Sequence, residues 1–325
     1  MANLIRMLFG VPPSVVLFPS TLCSESRPQR EVQYEFWRPD DGDPPQDRLN
    51  YAAPIYEQLA LTGPLPQCFV QYLGRINTCY RVERFEPGPM PYVLPKAEEA
   101  DRILALYQRW ALQSLAALNF MHDRGIILNA VDSSSLWLRN DLSIAIANLV
   151  DAGSVQLGIE AGIQGCNTID SPWRHHPISL NNTAGGIYAG HVKVDLFDWA
   201  TMVYAWFSHG RSPLDYDIHA LQGQQNTEYE YRLLLERQNL VSLLQYHQWP
   251  ILDDSILGPI LLGAWQGQYE NTAAALQDTR AMLQSCGRRL APGTEGDIVG
   301  FGWPDAFEFV KDNHGRNAKL RLRAG

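Results

Sequence analysis

The residues of this chain that invite a chemical role are few and scattered. The adjacent pair His175-His176 suggests a metal, but no carboxylate or cysteine stands at ligand spacing. Neighbouring side chains on most backbones point in different directions, so both are read as loop residues. Cys23, Cys68, Cys79, Cys166 and Cys286 are odd in number, widely spaced and without a C-x-x-C pair. That pattern argues against a zinc site and a disulfide framework, and makes a reducing, intracellular setting (cytoplasm or nucleus) the default. Asp132 lies in the polar loop Val131 to Ser135, where an aspartate ordinarily faces solvent or closes an Asx-turn. Asp151 heads a stretch rich in Gly, Asn, Pro and Thr that runs to His191. Lysine is confined to Lys96, Lys193, Lys311 and Lys319, and the segment Val310 to Arg323 gathers Lys311, Arg316, Lys319, Arg321 and Arg323. Such a tail suits an acidic partner or is simply solvated and mobile. With a net charge of -9 over 325 residues and no basic stripe, nucleic acid is not an expected partner.

The elements that hold these residues centre on Tyr107 to Ser154. Tyr107, Ala111, Leu115, Leu118 and His122 recur at steps of three and four, which predicts one apolar stripe on a helix within Ala97 to Met121 and its end. Asp123-Arg124-Gly125 stops it, with the glycine where a C-cap takes positive φ. The apolar run Ile126-Ile127-Leu128 follows, then the polar loop. Leu136-Trp137-Leu138 and Ile144 to Ala147 flank Arg139-Asn140-Asp141 and predict a hairpin.

This order of helix, loop and hairpin resembles the catalytic core of the eukaryotic protein kinase fold, whose pattern is a helix ending in Leu-His, then Gly-Ile, then H-R-D-L-x-x-x-N, a hairpin and D-F-G. Met121-His122 and Gly125-Ile126 match the helix end. The H-R-D triplet falls on Leu128-Asn129-Ala130, the loop Asn on Ser135, and the D-F-G Asp on Asn148. In the family the loop Asp accepts the substrate's hydroxyl proton, and the other two residues hold magnesium. Ala130 has no acceptor, Ser135 is a neutral weak ligand, and Asn148 has a carbonyl oxygen but no charge. The resemblance therefore implies a degenerate kinase-like protein, a pseudokinase. Asp132, two residues past Ala130, and Asp151, three past Asn148, are the only substitutes for a relocated base and metal ligand.

The rest of the chain fits the same frame. Residues 1-86 are expected to form a reduced, β-rich small lobe. Leu4 to Gly10 and Ser14 to Phe18 read as strands joined at Pro12-Pro13, in preference to a signal peptide, and Glu31 to Trp37 as a third. No G-x-G-x-x-G loop is present, and no lysine precedes Lys96, so the phosphate-covering loop and the strand lysine of kinases are both missing. Arg38 to Asp47 reads as a loop and Leu49 to Leu61 as a helix with Pro54 in its first turn; the glutamate that kinases carry there would fall near Ala52, with Glu57 close by. Phe69 to Leu73 and Cys79 to Phe85 read as strands around Gly74. The backbone of Glu83, Arg84 and Phe85 resembles the hinge that holds adenine. Residues 87-286 are expected to be a helical large lobe, and 287-325 a polar C-terminal tail.

Within the large lobe, Val194 to Gly210 resembles the central buried helix of kinases, and Asp195 matches the aspartate there that hydrogen-bonds the backbone of the catalytic loop. Glu228 to Tyr246 reads as an amphipathic helix. Trp265, Gly267 and Tyr269 resemble the Trp-x-Gly-x-Tyr before the last helix of a kinase-like group common in filamentous fungi, and Asp151-Ala152-Gly153-Ser154 is similar to its D-F-A-G-S. The A-P-E triplet is absent. The expectation is thus an α+β chain with a two-lobed protein-kinase-like fold, catalytically inactive, acting as a binding or scaffolding module for a protein partner. No cofactor is required; ATP remains an option and Mg²⁺ is disfavoured. The alternatives are an atypical ATP-dependent protein phosphotransferase and an unrelated helical interaction protein. No apolar run is long enough to span a membrane.

Overall fold

The computed structural model describes residues 15–19, 31–36, 46–61, 63, 65–76, 79–83, 85, 88–90, 94–96, 100–129, 131, 133–147, 149, 152–159, 192–208, 249, 252–293, 296–311 and 318–323. The expected strand Leu4 to Gly10, loop Arg38 to Asp47, pair His175-His176 and helix Glu228 to Tyr246 lie outside the described residues.

The architecture mixes helix and strand, which makes the chain α+β. Strands β1 (Val15–Pro19), β2 (Glu31–Phe36), β3 (Tyr72–Ile76) and β4 (Cys79–Glu83) form an antiparallel sheet in the order β1-β2-β4-β3. Gly74 was expected between two strands; it lies inside β3 instead, at a register shift between Tyr72 and Gly74 that bends the edge. The segment before β3 leaves the sheet to meet the helical half, where Val70 N–H donates to Ile146 O (3.1 Å) and Ile146 N–H to Cys68 O (2.9 Å).

Helix α1 (Gln46–Leu61) packs against β3 and β4. It begins three residues earlier than the apolar pattern suggests, so Pro54 sits in its interior rather than its first turn. There the proline removes one main-chain donor. Tertiary contacts offset this: Tyr56 is buried, stacks on Tyr72 at 5.6 Å, and donates its hydroxyl to Ala147 O (2.9 Å).

Helix α2 (Asp101–His122) is the core of the molecule. The sequence pattern predicts a single apolar stripe, but every residue from Ala105 to Leu118 is buried, polar ones included. A helix covered on all sides must satisfy each polar side chain internally. Gln108 donates to Ser255 O (2.6 Å) and accepts from Arg288 Nε (2.7 Å). Gln113 accepts Ile144 N–H (3.0 Å), and Ser114 donates to Trp110 O while taking the indole N–H of Trp199 (3.0 Å). Gly125, at φ +66, ends the helix as expected.

After α2, β6 (Ile126–Ile127) pairs with β9 (Gly153–Ser154), and the hairpin β7 (Leu136–Leu138) to β8 (Ile144–Ile146) is extended by β5 (Gly88–Pro89). The hairpin turn reaches beyond Asp141, with Leu142 at φ +59 and Asp141 Oδ1 accepting both Ser143 N–H (3.0 Å) and Ser143 Oγ–H (2.6 Å). Helices α3 (Val192–Phe207), α4 (Gly258–Trp265) and α5 (Thr272–Ser285) complete the helical half. Trp265 is buried, stacked on Trp249 at 5.3 Å, and Tyr269 donates to Asp278 of α5 (3.2 Å). Burial and the Asp278 charge push that phenol above its usual range. Among the described residues no helix is long and apolar enough to cross a membrane.

The expected polar tail after Cys286 is a correction. The described residues between 289 and 323 include β10 (Arg289–Leu290), β11 (Ile298–Val299), a short helix α6 (Trp303–Ala306) and the antiparallel pair β12 (Phe307–Lys311) and β13 (Ala318–Leu322). Ile298, Trp303, Phe307 and Leu320 are buried in the common core. The composition is polar on average, but alternate residues of the hairpin face inward: Phe309 and Leu320 oppose each other, while Lys319 and Arg321 are exposed. The link to α2 is close. Gly296 passes over α2 at φ +61, where a Cβ would come within 3.0 Å of Leu112. Asp297 then meets Arg109, with Nε to Oδ1 at 2.5 Å and Nη2 to Oδ2 at 3.2 Å. Arg109 also donates to Asp141 O (2.6 Å) and Oδ2 (3.3 Å), and lies over the Trp303 ring at 5.2 Å.

Arg109 is 2% exposed, so removing it leaves Asp297 without the cation that compensates it. Arg109→Met is expected to destabilise the protein by roughly 3 kcal/mol in urea unfolding; a loss within error of zero would mean the cluster contributes nothing net. Burial opposes ionisation of Asp141, but the Ser143 donors and Arg109 outweigh it and hold its carboxyl below 3.8. Its contribution is therefore complete above that value and drains away as pH falls through the lowered folded value. Asp141→Asn is expected to flatten the decline of the urea midpoint between about pH 5 and about pH 2; an unchanged slope refutes this assignment.

Candidate functional site

The loop after α2 is held from below by one carboxylate. Apolar pressure buries α3, and Asp195 stands in its first turn with no exposed surface. Its Oδ1 accepts Asn129 N–H (2.7 Å), and its Oδ2 accepts Leu128 N–H (2.7 Å) and the His122 imidazole at Nε2 (2.8 Å). The other ring nitrogen, Nδ1, is bonded to Thr272 Oγ1 at the start of α5. With Nε2 donating, a neutral ring accepts the threonine proton at Nδ1. A chain of polar contacts thus runs from the loop main chain through Asp195 and His122 to Thr272, joining α2, α3 and α5.

A carboxylate buried this fully is tolerable only because donors surround it. Two main-chain N–H groups and an imidazole occupy its oxygens, and Thr272 is itself only 1% exposed. The cluster bonds to other groups of the chain and supports the loop. It fixes Asn129 at φ +63, a left-handed conformation that asparagine tolerates better than most residues. The Asn129 Oδ1 is buried and has no hydrogen-bond partner among the described residues.

Of the sequence-expected site residues, Ser135 is described: it is buried, and its carbonyl accepts Ala147 N–H (2.8 Å). Ala130, Asp132, Asn148 and Asp151 lie outside the described residues, as does Arg84. Glu83 N–H is engaged with Gln71 O (2.8 Å), and Phe85 is buried, edge-on to Trp137 at 6.4 Å and under the Arg139 guanidinium at 4.2 Å. Ala52 is buried, and Glu57 accepts the Tyr72 hydroxyl (2.8 Å). From the far side, Gln58 of α1 braces the strand that follows the loop: it donates to Arg124 O (3.2 Å) and Gln156 Oε1 (2.8 Å) and accepts Ser154 Oγ–H (2.6 Å).

The sequence marks Asp195 and, through the resemblance, a bond from it to the loop backbone, but not its bond to an imidazole. His122 stands out there only as the end of a stripe and of the matched helix, and Thr272 not at all. The one available signal was the polar His122 on an otherwise apolar face. Nothing local points from it to a threonine 150 positions away.

No protein-family model matches this chain, and a search of curated proteins finds no match.

Removing the Asp195 carboxylate strands two main-chain donors in a closed site. Asp195→Ala is expected to cost about 3 kcal/mol or more in stability and to speed hydrogen exchange at the Leu128 and Asn129 amides. Asp195→Asn, which keeps one acceptor oxygen, should fall between. Unchanged exchange at both amides in the Ala variant would show that the loop is held by something else.

Proposed function

We propose that this chain is a degenerate protein-kinase-like domain, with a small β-rich lobe and a larger helical one, that has lost phosphoryl transfer and serves as a binding or scaffolding module in signalling. The observation that carries the reading is the Asp195 clamp on Leu128 N–H and Asn129 N–H, at the two positions that the resemblance aligns with the first two residues of H-R-D. A kinase needs this clamp to set the loop that presents its catalytic aspartate. Here the loop is clamped, and the next residue is Ala130. The antiparallel sheet with α1 packed on it, followed by α2, a short loop, a hairpin and a buried α3, supports the same order of parts.

The chemistry of the three substituted positions supports inactivity. Ala130 can accept no proton, and Ser135 and Asn148 supply no charge for a divalent metal that prefers carboxylates. Ser135 is moreover buried beneath the hairpin. Retention of the supports together with loss of the reactive groups is the signature of a fold kept for its surfaces.

Thermal denaturation with saturating ATP, alone and with Mg²⁺ or Mn²⁺, tests this. A ligand bound only by the folded state raises the midpoint by mass action. No metal-dependent rise is expected. A rise of several degrees that requires the metal, together with phosphate transfer to a generic protein substrate, overturns the proposal and makes Asp132 and Asp151 the residues to substitute.

A further inference from the structure

An open groove of about 700 Å³ runs between α5 and the turn that follows β10, with Asn119 of α2 at one end. Leu276, Leu290 and Pro292 give it apolar walls, and among the described residues no carboxylate lines it and the one charge is Arg280. Its Nη2 donates to Gly293 O (2.6 Å), its Nε is buried without a hydrogen-bond partner, and no acid pairs with it among the described residues. The partly buried guanidiniums nearby are treated differently. Arg109 has Asp297 and Asp141, and Arg288 lies in a fork with Asp101 at 2.6 and 3.0 Å, which holds that carboxyl below its usual range. Arg280 alone among these three is left with a carbonyl.

We propose that this groove docks a short segment of a partner protein that sets an apolar side chain beside a carboxylate. The apolar walls would take the side chain, and Arg280 would take the acid as a charge-assisted pair. The groove is open to solvent, which suits a peptide better than an enclosed small molecule. The wall from α5 is a regular helix with Asn271 as its N-cap, and the opposite wall is pinned by Arg280 itself, so the site is formed before the partner arrives. The inference goes beyond the proposed function and does not need it, because none of the described lining residues belongs to the Asp195 cluster or its loop.

The test is selection of a random twelve-residue peptide display library on the full chain, followed by binding of the selected peptides to two variants. Arg280→Gln removes the charge. Ala281→Glu, at an exposed helix position, adds a repelling one while keeping a good helix former. Selected peptides should carry Asp or Glu next to Leu, Ile or Phe and should bind each variant at least tenfold more weakly. Replacing the peptide's acid by its amide should cost the wild type the same factor. Thermal melts within a degree or two of wild type show that both variants are folded. No enriched sequence, enrichment indifferent to both variants, or an acid-independent motif overturns the proposal. So does concentration-dependent self-association that Ala281→Glu abolishes, since a second copy would then be the occupant.

Discussion

The carboxylate of Asp195 is the contact on which the helical half depends. It is closed off from water, yet three donors converge on it from two separate segments. In such a place a hydrogen bond has no competitor, and losing it exposes nothing to solvent, so the penalty for a missing partner is close to the whole desolvation cost. The end of α2, the first residues of its loop, the start of α3 and, through His122, the start of α5 therefore have one mutual arrangement. Mobility of any one would orphan a polar group in another.

On the proposed reading, that constraint lets chemistry be lost without loosening the fold. On that reading the residue kept is Asp195, whose partners include two main-chain amides. The residues lost are those whose partners would be a substrate, a nucleotide or a metal, and the fold does not register their absence. An Ala at position 195 would cost it a support.

What could be read from the sequence follows the range of the interactions. The end of α2 at Gly125, the hairpin from Leu136 to Ile146 and the burial of α3 are local matters of period and turn chemistry, and they stand where the spacing put them. The interior placement of Pro54 was not legible, because the helix start at Gln46 carries no apolar period. The all-round burial of α2 was not legible either: Gln108, Arg109 and Gln113 look like a solvent face until their partners arrive from far along the chain. The loop residues on which the chemical argument turned were legible only by type. Ala130 and Asn148 speak through what they lack, which needs no coordinates.

The C-terminal region shows the same limit from the other side. A count of polar residues after Cys286 suggests solvent, yet Asp297 reaches a guanidinium 188 positions earlier in the chain. A charge as deeply set as Arg109 cannot be left unpaired at acceptable cost, so α2 is complete only when the strand containing Ile298 is in place. Gly296 is the geometric counterpart, since its φ of +61 and the 3.0 Å approach of a Cβ to Leu112 would strain any larger residue beside that strand. Arg288 adds a second fastening, bonded to Asp101 and Gln108 at the opening turns of the same helix. A boundary drawn at residue 286 would separate a buried cation from its counterion. The last part of the chain therefore belongs to the core that α2 organises, and its polar composition reflects one face of a hairpin rather than a tail.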